Sequence, residues 1–275
     1  NMPFNYETMV EATPGGSVKL TIDEYVQHIC EKYLDEAVLE NNAGNRGCVV
    51  VMNVNTGDVL GMAVKPDFDP NQPFTLYSDA DKKTMEELSA SSTDQKEISA
   101  KRTELLSEQW KNKAITDTYE PGSVFKIITG SAALEEKKVS TSSTFNCPGY
   151  IVIAGTRYNC HQLGGHGAQS FINIFENSCN PAFIEIGQRL GSDLFYNYFK
   201  AFGFTQKTGI DLPGETTGVY YTADKMGPVE LASESFGQTF RITPMQMISA
   251  VAAVANGGYY VKPHIVKEIL DNNGN

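Results

Sequence analysis

TYEPGSVFKIITGSAALEE, residues 118–136, decides the fold. The breaker pair Pro121-Gly122 runs directly into an apolar helical pattern, and a helix is expected over about residues 123–137. Ser123 and Lys126 open that helix three positions apart, so both side chains lie on one face. A serine hydroxyl is a poor nucleophile until a neighbour removes its proton. A lysine can do so only as the neutral amine, which desolvation favours. Val124, Phe125, Ile127 and Ile128 supply apolar surroundings. Unpaired backbone N–H groups at the helix start suit a developing oxyanion. The bland alternative is a capping serine followed by a surface lysine. S-x-x-K is expected about once by chance in such a chain. Here it falls at a Pro-Gly helix entry.

Downstream, NSCN places Ser178 and Asn180 at a break between two helical patterns. Asn offers two donors and an acceptor for a peptide group, and a second serine can relay a proton. An ordinary turn is the alternative, because Ser and Asn both favour turns.

Composition bounds the rest. The chain has 275 residues and a formal charge of -11, which argues against nucleic acid or anionic lipid as partners. No apolar run approaches the roughly 18 residues of a spanning helix. Residues 1–17 read as a linker from an upstream region that would hold any membrane anchor. TIDEYVQHICEKYLDEAVLENN is a helix whose capping box would be Thr21 and Glu24. GCVVVMNVNTGDVLGMAV is a hairpin turning at residues 55–58. Residues 79–113 are charged and poor in large apolar side chains, as expected of a surface insertion. TPMQMISAVAAVANGG has Thr243 as N-cap, Pro244 at the first position, Gln246 completing a box and Gly257 as the stop. Strands, then helices, then a strand suggest α+β layering.

Among the five cysteines, Cys30 and Cys48 sit in apolar patterns as buried small hydrophobes. Cys147 and Cys160 flank a hairpin, CPGYIVIAGTRYNC, and can pair in an oxidising compartment; two free thiols are the alternative. A metal site from Cys147, Cys160, His161 and His166 matches no standard zinc spacing and ranks behind that pair. The histidines give no H-x-x-x-H pair, and no cofactor motif appears: there is no P-loop, G-x-G-x-x-G or G-x-S-x-G.

S-x-x-K followed by S-x-N resembles the signature of penicillin-binding proteins and serine β-lactamases. Further blocks resemble class B penicillin-binding proteins: GGSVKLTIDEYVQHICEKYL, VVVMNVNTGDVLGMAVKPDFDPN, SCNPAFIEIGQRLG, GFTQKTGIDLPGE and SFGQTFRITPMQMISAVAAVANGG. The resemblance runs from about residue 15 to the end and omits mainly the insertion. It implies an α/β serine transpeptidase fold: an antiparallel sheet with helices on both faces and a helical subdomain. It implies an extracytoplasmic, membrane-anchored D,D-transpeptidase acting on peptidoglycan stem peptides ending in D-Ala-D-Ala and trapped by β-lactams. A glycan polymerase is an expected partner. Ser123 would be the acylated nucleophile, Lys126 its base, Ser178 a proton relay and Asn180 the substrate holder. The family's third motif, K-T-G, belongs on a late core strand. Lys207-Thr208-Gly209 spells it, but in a loop-like block, and is expected to be a decoy. The chain is therefore expected to be incomplete at its C-terminus. A β-lactamase or β-lactam sensor of the same fold, or a non-catalytic binding fragment, are the competing readings.

Overall fold

Asp23 opens the first helix: its carboxylate accepts the Val26 N–H at 3.0 Å, and α1 (Glu24–Glu40) follows. The expected Thr21–Glu24 box does not form. Thr21 is buried and donates its hydroxyl to Val59 O at 2.6 Å, since a buried hydroxyl must find an acceptor. The computed structural model describes residues 15–43 and 46–271. Residues 1–14 of the expected linker lie outside the described residues, whereas Ser17 begins a strand, β1 (Ser17–Leu20).

The expected hairpin is β2 (Gly47–Met52) and β3 (Val59–Lys65), paired antiparallel with Val51 opposite Gly61. Side chains alternate across a strand pair, so each face meets a different helix layer. Val49 and Ala63 pack with Cys30 and Leu34 of α1. Cys48, Val50, Met62 and Val64 face the other way. They meet Ala114 and Ile115 of a short helix, α4 (Lys113–Thr116), and Met245 and Ala252 of a later one. Helices therefore cover both faces, as expected. Cys30 is buried as read, but Cys48 is only half-buried.

The charged segment is a helical hairpin, α2 (Asp79–Ser91) and α3 (Gln95–Gln109). No residue of α2 is buried. The hairpin is tied down at its end, where Gln109 binds the Tyr77 N–H and Thr75 O at 3.0 Å and Trp110 donates to Pro73 O at 2.8 Å.

The larger core belongs to the helical lobe. It holds α5 (Lys126–Glu135), α6 (Phe171–Glu176), α7 (Asn180–Leu190), α8 (Ser192–Ala201) and α9 (Pro228–Glu234). The cysteine-flanked segment is the hairpin β5 (Tyr150–Ile153) and β6 (Thr156–Asn159), beside the pair β4 (Thr144–Cys147) and β7 (Gly167–Ser170). In α10 (Pro244–Ala255) the Thr243–Gln246 capping box forms as read. Its end carries Asn256 as the cap and Gly257 at φ +89° just beyond. Finally β8 (Val266–Leu270) pairs antiparallel with β1. Among the described residues no helix is long and apolar enough to cross a membrane.

Candidate active site

The helix expected at residue 123 begins as a 3-10 turn, Gly122–Phe125, and becomes α-helical at Lys126. Two contacts fix that turn. Phe125 is buried against Phe240, Phe204, Phe199 and Phe195, with ring centroids 4.7–6.1 Å apart. Before it, the segment 118–122 runs beside 237–242: Tyr119 and Ile242 exchange backbone hydrogen bonds at 3.0 Å, and the Gly122 N–H donates to Gly237 O at 2.8 Å. Gly237 has φ +88°, and a Cβ there would sit 2.0 Å from Gly122 O. Only glycine permits this approach.

Ser178 arrives from another direction. It follows α6 at the helix end, where the Ser178 N–H bonds Phe175 O and the Cys179 N–H bonds Ile174 O, both at 3.0 Å. This double bond pattern usually places a glycine in the left-handed region. Here Ser178 occupies it, with φ +46°. Cys179 then caps α7, and Asn180 is its first residue.

Lys126 joins these pieces. Its side chain is 2% exposed. Its Nζ lies 3.1 Å from Ser123 Oγ, 2.9 Å from Ser178 Oγ, 2.7 Å from Ser178 O and 2.7 Å from Asn180 Oδ1. Ser123 itself is exposed, so substrate can reach a hydroxyl whose neighbour is dry. Burial lowers the Lys126 pKa to about 8, with Cys179 and Cys160 opposing that shift. The neutral amine has two donors and a lone pair. Ser178 O and Asn180 Oδ1 take the donors, which turns the lone pair toward the hydroxyls. All four residues singled out in the sequence thus meet at one nitrogen. Beside them runs a groove of about 550 Å³, lined by Cys48, Val50, Tyr119, Val124, Met247 and Val251 among others.

Lys207-Thr208-Gly209 takes no part in these contacts. Glu215 accepts from Thr208 N at 2.7 Å, Thr208 Oγ1 at 2.6 Å and Gly209 N at 3.0 Å, which holds the tripeptide in a loop outside any strand. Lys207 is exposed.

The sequence offered three members of a second cluster and missed the fourth. All five cysteines are free thiols, so Cys147 and Cys160 are not paired. Cys147, Cys160, His166 and Cys179 bring one ligand atom each to within 4.8 Å of the others. Cys179 takes the place that the spacing had given to His161. It lies outside the 147–166 segment in sequence, and only the fold returns α7 to it. Burial opposes ionisation of Cys147. Backbone N–H groups of His166 and Gly149, with the Cys179 and Cys160 thiols, outweigh burial and lower its pKa.

Comparison with known proteins agrees with this geometry. Residues 47–274 match the family described as penicillin binding protein transpeptidase domain. The chain is 39% identical over 271 residues to stage V sporulation protein D of Bacillus subtilis, covering 98% of this chain and 38% of that protein. It is 27% identical over 254 residues to peptidoglycan D,D-transpeptidase FtsI of Escherichia coli, covering 91% of this chain and 37% of the relative. It thus spans little more than a third of these relatives. The solved structure of penicillin-binding protein 3 from Mycobacterium tuberculosis complexed with aztreonam superposes with a TM-score of 0.78 at 28% identity. That match covers 98% of this chain and 53% of the other. The breadth of the family match and the identity to the sporulation protein place this chain among the penicillin-binding-protein transpeptidase domains, in their class B branch.

Proposed function

We propose that this chain carries the acylation centre of a peptidoglycan D,D-transpeptidase. The observation that carries the reading is the single buried amine of Lys126 in contact with Ser123, Ser178 and Asn180. Neutral Lys126 takes the Ser123 proton as Oγ attacks the carbonyl carbon of the penultimate D-Ala. The tetrahedral intermediate collapses, the terminal D-Ala leaves as an amine, and Ser178 Oγ passes it the proton from Lys126. Asn180 holds the peptide amide while the acyl group rests on Ser123. An amine from a second stem peptide then attacks the ester, and the proton returns along the same path. General-base assistance of this kind contributes about 10²–10⁴-fold. A β-lactam acylates the same oxygen, but its leaving nitrogen stays tethered.

The relatives' names and the aztreonam complex support this reading. Residues 18–275 form part of the transpeptidase domain, with the helical hairpin around 79–113 as an appendage. The parent protein works outside the cytoplasm, tethered by an upstream membrane anchor and paired with a glycan polymerase. Intact mass after exposure to a penicillin tests the core claim. A single adduct lasting hours and lost in Ser123→Ala is expected. An adduct retained in that variant overturns the nucleophile assignment, and rapid release indicates a hydrolase.

A further inference from the structure

The Cys147–Cys160–His166–Cys179 cluster is not used by the acylation chemistry. Its members come from four places: the end of β4, the residue after β6, the loop before β7, and the cap of α7. Their ligand atoms nonetheless converge within 4.8 Å. Three of the four are buried and His166 is half-buried. Tetrahedral zinc with bonds of about 2.3 Å to sulfur places neighbouring ligand atoms about 3.8 Å apart. The Cys160 Sγ to His166 Nδ1 distance is 3.6 Å.

The backbone around the cluster is drawn tightly together. The Cys160 N–H closes the β5–β6 hairpin on Gly149 O at 2.8 Å. A Cβ on Gly165 would fall 2.2 Å from Cys147 O, so the His166 loop approaches the Cys147 turn at glycine-only distance. The Gln169 Nε2 is buried without a conventional hydrogen-bond partner. Its side chain lies against Cys179. Outer donors of this kind orient and tune metal ligands.

We propose that Cys147, Cys160, His166 and Cys179 bind one soft divalent cation of the zinc class, and that this ion anchors the Ser178–Asn180 segment of the active site. On binding, each of the three thiols loses its proton to solvent, and three thiolate bonds and one imidazole bond replace the ion's waters. Four protein ligands close the coordination shell, which is the pattern of a structural rather than a catalytic zinc. Cys179 lies between the two residues that contact Lys126. A bond to its sulfur ties the strained Ser178 backbone to β4 and the hairpin. The ion acts by position and takes no part in acyl transfer.

The test uses the full chain kept reduced, with cobalt(II) and zinc as probes. About one ion per chain is expected by elemental analysis after dialysis. Cobalt should give thiolate charge-transfer and tetrahedral visible bands that zinc then bleaches. Cys147→Ser and His166→Ala should each weaken cobalt binding at least about 100-fold, whereas His161→Ala and Cys48→Ser should leave it unchanged. Removing the ion should slow penicillin acylation at least about tenfold, with recovery on adding zinc. Three results would overturn the proposal: no cobalt spectrum in the unsubstituted chain, a disulfide among these cysteines under reducing conditions, or binding that survives loss of Cys147. Stoichiometric binding with acylation indifferent to the ion would overturn the anchoring role. Because the unsubstituted chain supplies the cobalt readout, a variant that fails to fold cannot obscure it.

Discussion

Lys126 Nζ and Asn180 Oδ1 lie 2.7 Å apart across 54 residues of sequence, and that contact decides how the amine is used. Asn180 Oδ1 and Ser178 O can only accept. They therefore orient the amine whether or not it carries its third proton. Desolvation removes that proton early, at a pKa of about 8 instead of 10.5.

Acylation should therefore rise about tenfold per pH unit below about 8 and level off above it. Lys126→Met should remove the inflection and about 10²–10⁴ of the rate. The same shift acts on stability. The folded chain holds this proton less tightly than the unfolded chain, so the Lys126 contribution improves from about pH 8 to 10.5 and is unfavourable below that window. Second-order acylation rates across this range check the first claim. An inflection near pH 8 that persists in Lys126→Met would sink it.

Ser178 holds φ +46°, where a side chain costs about 1–2 kcal/mol relative to glycine. Ser178→Gly and Ser178→Ala both delete the hydroxyl that lies 2.9 Å from Lys126. Both should slow acylation to a similar degree. Only the glycine variant relieves the backbone, so it should melt higher than the alanine variant. Paired calorimetry and acylation kinetics separate the two effects. Equal melting temperatures would show that the backbone there carries no strain.

Much of this was legible in the sequence, for identifiable reasons. Breakers and short-range periodicity mark β2, β3 and α10, because turn chemistry and capping are local. Ser123 and Lys126 are one helical turn apart, so their meeting is also local. Their junction with Ser178 and Asn180 needs α5 to pack on α7, and only the family resemblance supplied it. Thr21 was misread because the same hydroxyl can cap a helix or satisfy a buried carbonyl, and the deciding partner, Val59, is 38 residues away. The fourth cluster ligand, Cys179, was missed for the same reason: its partners lie in three other segments.

Lys207-Thr208-Gly209 offers a direct control on motif reading. Glu215 gathers three donors from this loop. Lys207→Ala removes an exposed side chain and should leave acylation unchanged. Glu215→Ala orphans the buried Thr208 N–H and hydroxyl, at about 1–3 kcal/mol for each unsatisfied group. It should lower the melting temperature by several degrees. A severe loss of acylation in Lys207→Ala would return this tripeptide to the active site.

Among the described residues, Glu234 is a further buried carboxyl. It is fully buried at the end of α9, and neither carboxylate oxygen makes a hydrogen bond of normal geometry. Burial raises its pKa to about 8, offset only partly by the Tyr221 backbone and reinforced by Glu230. The sign is opposite to that of Lys126. The folded chain holds the Glu234 proton more tightly than the unfolded chain does, so its contribution is fully present below about 4.5. That contribution is lost as pH rises through about 8. Glu234→Gln keeps the shape and cannot ionise. It should melt close to the parent near pH 5 and above it near pH 9, by about 2–4 °C for each kcal/mol recovered in a domain of this size. Thermal melts of both proteins at the two pH values decide the matter. A difference that does not change with pH would mean that Glu234 has already found a partner for its charge.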